Sequence, residues 1–134
     1  MLLNWLRKFS RSGRAVAGAN AHALYEQGRD ANLAGRHQEA ASLLLAAIAA
    51  QPQSAEFRYE LGRAMRRLGE PARAVTCFRE AIALDARHLD AHIDLSAVML
   101  ALGHPDAAEQ AARGALALAP RSVGALVNLG AALQ

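Results

Sequence analysis

The chain is poor in the residues that build disulfide frameworks, zinc sites and aromatic cores. Of 134 residues, Cys77 is the only cysteine, so no disulfide can close within the chain and no cysteine-rich metal site can form. It lies inside a helical apolar pattern, where a small buried thiol is expected rather than a reactive one. Aromatic residues make up only 4%, too few for a core of large rings. Prolines number four and stand at intervals, not in clusters. No apolar run reaches the roughly 18 residues of a membrane span. The segment from Leu2 to Leu6 is too short for a secretory leader, and its charges follow it instead of preceding it. Ala15-Val16-Ala17 resembles a cleavage site only in isolation, so a cytoplasmic location is expected. Lysine is also scarce: Lys8 stands alone against fourteen arginines. With the alanine excess, that ratio fits a GC-rich, bacterial coding sequence better than any function.

What remains is dominated by strong helix formers, chiefly alanine, leucine, arginine, glutamate and glutamine. An all-α fold built from many thin contacts between close helices is therefore expected. The formal net charge of +3 is unevenly placed. Residues 1–20 hold Arg7, Lys8, Arg11 and Arg14 with no acid, whereas residues 21–134 hold eleven bases and twelve acids. The body is close to neutral, without the basic face a nucleic-acid-binding domain would need. Nucleic acid is thus excluded as an expected partner.

A fixed period runs through the chain. Gly35, Gly69 and Gly103 lie 34 residues apart, as do Ala40, Ala74 and Ala108, then Ala47, Ala81 and Ala115, then Leu61, Leu95 and Leu129. Gly28 and Gly62 form a column that Ser96 and Gly130 continue. Such a unit is two antiparallel helices joined by a tight turn. The glycines at 35, 69 and 103 end the first helix in a left-handed conformation. Pro71 and Pro105 follow at the first position of the second helix, where a missing amide hydrogen costs nothing. Pro52 and Pro120 end a unit. Gly28, Gly62, Ser96 and Gly130 are small where two helices touch, with Ala40, Ala74 and Ala108 as the expected opposing surface. The predicted helices are 21–33, 37–50, 55–67, 71–84, 89–101, 105–118 and 123–134, with a further one over about 2–12. Ser12-Gly13 and Gly18-Ala19-Asn20 are expected to break the chain between that helix and the repeats.

The 34-residue period, with Leu-Gly, a turn glycine, alanines and a closing proline at these offsets, resembles the tetratricopeptide-repeat (TPR) family. The resemblance covers residues 21–134: full repeats at 21–54, 55–88 and 89–122, then a partial repeat at 123–134. It implies an all-α solenoid of antiparallel helix pairs in a right-handed superhelical stack, three full repeats plus one further helix. Leu44, Phe78 and Ala112 occupy the position where the family usually carries a bulky aromatic, so only the second unit keeps that anchor. Gln27 replaces the leucine expected in the first unit.

The chemistry of an enzyme is missing from the pattern. No glycine-rich phosphate loop, paired-cysteine zinc signature, HExxH or GxSxG motif occurs, so neither catalysis nor a cofactor is expected. His88 and His92, with Asp85, Asp90 and Asp94 nearby, fix no third metal ligand by spacing. Solvated turn histidines and surface acids are expected there.

Function then falls to surfaces. The resemblance implies that first helices line a concave groove, with side chains that include Tyr25, Glu26, Arg29 and Asn32, then Tyr59, Glu60, Arg63, Arg66 and Arg67, then Asp90 and Asp94. A protein or peptide ligand is expected there, gripped by Tyr25, Arg29, Asn32, Tyr59, Arg63, Arg67, Asp90 and Asp94. Glu26 precedes Arg29 by three residues and Glu60 precedes Arg63 likewise, so each arginine can alternatively pair along its own helix. The clamp that other TPR proteins use for acidic chaperone tails needs cations and asparagines where this chain has Tyr25, Arg29, Glu60, Asp90 and Asp94. The asparagine ladder of O-linked glycosyltransferase arms is matched only at Asn128. Two wider readings stay open: a free-standing adaptor, or an N-terminal recruiting module of a larger protein, such as a glycosyltransferase-like enzyme.

Both ends carry apolar surface. Leu2, Leu3, Trp5, Leu6 and Phe9 gather on one side of the first helical stretch, with Lys8 and Arg11 on the other. This basic arm, residues 1–20 with its linker, is expected to cap the first repeat, to bind a partner or the inner membrane surface, or to stay disordered. Four bases near anionic lipid give roughly 1 kcal/mol each, enough for weak, salt-sensitive contact only. In the last helix Leu126, Leu129 and Leu133 have no second helix to cover them, so either the natural protein continues or the face is buried in a homo-oligomer.

Overall fold

The computed structural model describes residues 17–134. These residues form seven helices: α1 (Ala17–Leu33), α2 (His37–Ala50), α3 (Ala55–Arg67), α4 (Pro71–Leu84), α5 (Leu89–Ala101), α6 (Pro105–Leu118) and α7 (Val123–Ala132). The second to sixth have the predicted bounds. α1 starts earlier than predicted, so Gly18-Ala19-Asn20 lies within a helix and does not break the chain. The amphipathic helix expected from Leu2, Trp5, Leu6, Lys8, Phe9 and Arg11 lies outside the described residues.

Each pair closes through the same turn. Gly35, Gly69 and Gly103 have φ of 82°, 76° and 79°, the left-handed region that side chains resist. The amide after each glycine reaches back to the helix it has just left: Arg36 to the Ala31 carbonyl (2.8 Å), Glu70 to Met65 (2.9 Å), His104 to Met99 (2.9 Å). Between units a second column acts. Ser54, His88 and Ser122 cap α3, α5 and α7, accepting from the amides of Phe57 (3.3 Å), Ala91 (3.1 Å) and Ala125 (3.3 Å). These caps also share the 34-residue step. A histidine ring nitrogen can fill the role of a serine oxygen because both are compact acceptors.

The pairs pack α1 on α2, α3 on α4 and α5 on α6, and each second helix also touches the first helix of the next unit. α7 rests on α5 and α6. The closest contact within a pair sets a small residue beneath a large one. A Cβ added at Gly28 would lie 2.8 Å from Leu44 Cγ, and at Gly62 2.6 Å from Phe78 Cε1. The expected alanine surface is therefore corrected: Leu44 and Phe78, both fully buried, face these glycines, while Ala40 offers Gly28 only its carbonyl at 3.5 Å. The third unit inverts the sizes. Ala112 replaces the large residue, and Ser96 replaces the glycine, its hydroxyl donating to the Ala108 carbonyl at 2.8 Å. Thus a weaker anchor is accompanied by a bonded side chain in the space it leaves. Cys77 is buried as expected, and burial pushes its thiol up to about 11.

On α7 the same column ends in the open: nothing lies within 4 Å of a Cβ at Gly130. Leu126 and Leu133 are exposed, as are Val123 and Val127, while Leu129 is half-buried.

Gly62→Ala is expected to lower the urea midpoint by an amount equivalent to about 1–3 kcal/mol, because Phe78 cannot shorten. Gly130→Ala, in open space on the same column, should raise it slightly through helix propensity. Equal effects of the two changes would contradict the packing described.

Candidate functional site

The first helices present the residues expected to face a ligand, and their placement separates them into two groups. Tyr25, Asn32 and Tyr59 are buried. The Tyr25 hydroxyl donates to Glu56 of the next unit (3.3 Å), and its ring stacks on Phe57 with centroids 5.1 Å apart. One repeat on, the Tyr59 hydroxyl donates to Asp94 Oδ2 at 2.8 Å. Asn32 Nδ2 donates both to the Glu60 carbonyl and to Glu60 Oε2, each at 3.1 Å. Asn128 of α7 donates to the Ile93 carbonyl at 3.1 Å. Together these bonds form a polar seam running from α1 through α3 and α5 to α7. The tyrosines therefore have little of the free contact area expected of them, since each is committed to the neighbouring unit.

His88 belongs to the same seam, which corrects its expected place in solvent. Its Nδ1 accepts from the Ala91 amide, so the proton sits on Nε2, which donates to Glu56 Oε2 at 2.8 Å. Its ring lies against Tyr59 with centroids 4.7 Å apart. Among the described residues no group of three metal-binding side chains occurs.

The arginines form the second group. Arg29 lies over the Tyr25 ring at 5.5 Å and Arg63 over Tyr59 at 6.0 Å, so the repeat places a guanidinium on a buried tyrosine in both units. Their acids differ. Arg63 pairs with Glu60 of its own helix at 3.2 Å, as the three-residue spacing allows. Arg29 instead approaches Asp30 at 3.9 Å, because Glu26 is taken by His22 at 2.7 Å. Glu60 is buried with both carboxylate oxygens bonded, to Asn32 and Arg63, which makes Arg63 partly structural. Arg66 and Arg67 are exposed and have no ion pair among the described residues. A cavity of about 280 Å³ opens beside Arg67, lined by Asn32, Leu33, Gly35, His37, Arg63 and Arg67 itself. On the third unit Asp90 is exposed and Asp94 half-buried, so the charge along the first helices changes from basic to acidic.

A sequence model of the cilia and flagella-associated protein 70 middle TPR-like domain matches residues 24–109. The chain belongs to the tetratricopeptide-repeat family. Among curated proteins, no sequence matches this TPR chain. Solved TPR structures superpose on it closely. The first TPR of Spaghetti (RPAP3), bound to an HSP90 peptide, is 24% identical with a TM-score of 0.84, covering 87% of this chain and 93% of that one. MamA is 26% identical with a TM-score of 0.83, covering 95% and 74%. The Yersinia enterocolitica type III secretion chaperone SycD, in complex with a peptide of the translocator YopD, is 16% identical with a TM-score of 0.77, covering 84% and 91%. None of the helices described in this TPR chain is long and apolar enough to cross a membrane.

Within the TPR seam, burial is the largest influence on Asp94 and raises its carboxyl above the ordinary range; the Tyr59 hydroxyl, Arg66 and Arg63 oppose this in part. The folded state therefore holds the Asp94 proton more tightly than the unfolded state. Its contribution to stability is complete below the ordinary carboxylate range and is lost as pH rises through its folded value. Asp94→Asn, which keeps an acceptor for Tyr59, should raise the urea midpoint at pH 7, and its advantage over the wild type should shrink as the pH falls towards about 4. Tyr59→Phe should cost about 1–3 kcal/mol at pH 7, because Asp94 loses its donor. An Asp94→Asn advantage that does not change with pH would contradict this reading.

Proposed function

We propose that the chain is a non-catalytic interaction scaffold whose concave groove takes an extended protein segment, acidic where it meets the first two units. The observation that carries this reading is the cavity at the end of α1 and α3. There Arg67 has no ion pair among the described residues, and Asn32, His37 and Arg63 lie beside it. A carboxylate entering this cavity meets a guanidinium able to bind it through two parallel hydrogen bonds. The seam residues position the arginines: Tyr25 and Tyr59 form platforms under Arg29 and Arg63, and Glu60 fixes Arg63. Asp90 and Asp94 give the groove its polarity, since the same acidic end would be repelled at the third unit.

Similar folds in RPAP3 and SycD hold peptides, which supports a peptide ligand in this groove. The acids at Asp90 and Asp94 set this chain apart from a groove that is cationic along its whole length. An oriented ligand follows, with acidic residues toward α1 and α3 and basic or apolar ones toward α5.

A fluorescein-labelled heptapeptide ending in three glutamates tests this by anisotropy against the full chain. Arg67→Ala is expected to weaken binding by about 1.5–3 kcal/mol, and Arg67→Glu to abolish it, with helicity unchanged because Arg67 is exposed and holds no ion pair among the described residues. A peptide with lysines in place of the glutamates should not compete. Undiminished binding to Arg67→Glu would overturn the assignment.

A further inference from the structure

A second concavity opens between α4 and α6, with Leu95 and Met99 of α5 in its lining. Two adjoining cavities, of about 760 and 240 Å³, share Arg79, Met99 and Ala107 in their walls. The repeat explains why they open here. At the preceding junction the equivalent positions carry Arg73 and the Arg58–Glu80 ion pair, closed at 2.8 Å. One period later those three residues become Ala107, His92 and Gly114. The floor is nearly unchanged, with Leu95 and Met99 following Leu61 and Met65. Thus the third unit keeps the apolar floor and loses the side chains at the positions above it.

The charge at the rim changes as well. Leu45 at the first junction becomes Arg79 at the second. Arg79 is exposed and has no ion pair among the described residues. On the α6 side the rim carries Asp106 and His104. An apolar floor with an unpaired cation on one wall and an acid on the other selects its occupant by sign and direction.

We propose that this cleft is a second docking site, which takes a partner protein segment carrying a leucine-sized side chain beside a carboxylate. The side chain seats over Met99, Ala107 and Ala111, and the carboxylate pairs with Arg79. An acid on the opposite side of the leucine would face Asp106, so the order of the two residues matters. The site is independent of the concave groove: it shares none of Asn32, Arg63 and Arg67, and a partner could occupy both sites at once.

The chain supplies its own probe, because Met99 lies in the cleft while Met65 holds the equivalent place at the preceding junction, beside the Arg58–Glu80 pair. With ¹³C-methyl methionine in the full chain, an acetylated octapeptide with a central Leu-Glu pair is titrated in and the methyl signals followed. The Met99 signal should move and saturate while that of Met65 stays. The Leu-Lys version of the peptide should bind about two- to fivefold more weakly, the scale of one exposed ion pair. The triple variant His92→Arg, Ala107→Arg, Gly114→Glu rebuilds the first junction in the third unit. Gly114 cannot be changed alone, because its Cβ would lie 2.8 Å from His92 Nδ1. That variant should fold, as judged by its melting curve, and lose the Met99 response. Should it unfold, Ala107→Arg alone closes the shared wall and carries the same expectation.

A Met99 signal that stays still at millimolar peptide would overturn the site and leave the groove reading standing. Equal response to the two peptides would remove the role of Arg79. A response surviving in the folded variant would show that the cleft is not where the peptide sits.

Discussion

The structure depends on how closely the two helices of a unit can approach. Gly28 beneath Leu44 and Gly62 beneath Phe78 leave no room for one further carbon. That contact fixes the angle of each pair, and through it the face on which the first helices lie. Where the large residue is lost, at Ala112, a bonded serine appears at Ser96. The third unit thus meets the same constraint by a hydrogen bond rather than by an aromatic ring. Because its side chains are smaller, the same unit also leaves open the cleft beside α4.

Between units a different force acts. The neighbours are joined through polar bonds from Tyr25, Asn32, Tyr59, His88 and Asn128, most of them reaching side chains or carbonyls on the next first helix. Buried polar groups are tolerable only when satisfied, and among the described residues no buried side-chain nitrogen or oxygen lacks a partner. The groove is therefore lined by groups already spoken for, with arginines above them. On the proposed groove reading, recognition falls to Arg29, Arg63, Arg66 and Arg67, and discrimination to the change of sign at Asp90 and Asp94. Burial that raises the Asp94 carboxyl makes one joint of the stack less stable at neutral pH than under acid, a cost located on the groove itself.

Nearly all of the helical framework was legible in the sequence, because turn glycines, opening prolines and column alanines each answer a local demand that repeats every unit. The seam was not. Tyr25 and Tyr59 share a column, and their repetition fits ligand contact as well as contact with the next repeat. What separates these readings is the acid that meets each hydroxyl, Glu56 at 31 residues and Asp94 at 35, a spacing that no local pattern marks. The capping column of Ser54, His88 and Ser122 was readable in principle, since it keeps the period. His88 breaks its chemical uniformity and so resembles a solvated turn residue. Arg29 illustrates the limit of spacing rules: Glu26 is in reach along the helix, yet His22 takes it.

On the proposed groove reading, Arg63 on its tyrosine platform and Arg67 beside it meet the ligand, and the committed tyrosines do not. The most direct measurement follows arginine side-chain Nε–H and tyrosine ring signals together by NMR while the triglutamate heptapeptide is titrated into the full chain. Arg63 and Arg67 signals should shift and saturate with the peptide, while the ring of Tyr59, held to Asp94, hardly moves. Large early shifts of the Tyr25 and Tyr59 rings with still arginine signals would contradict that reading.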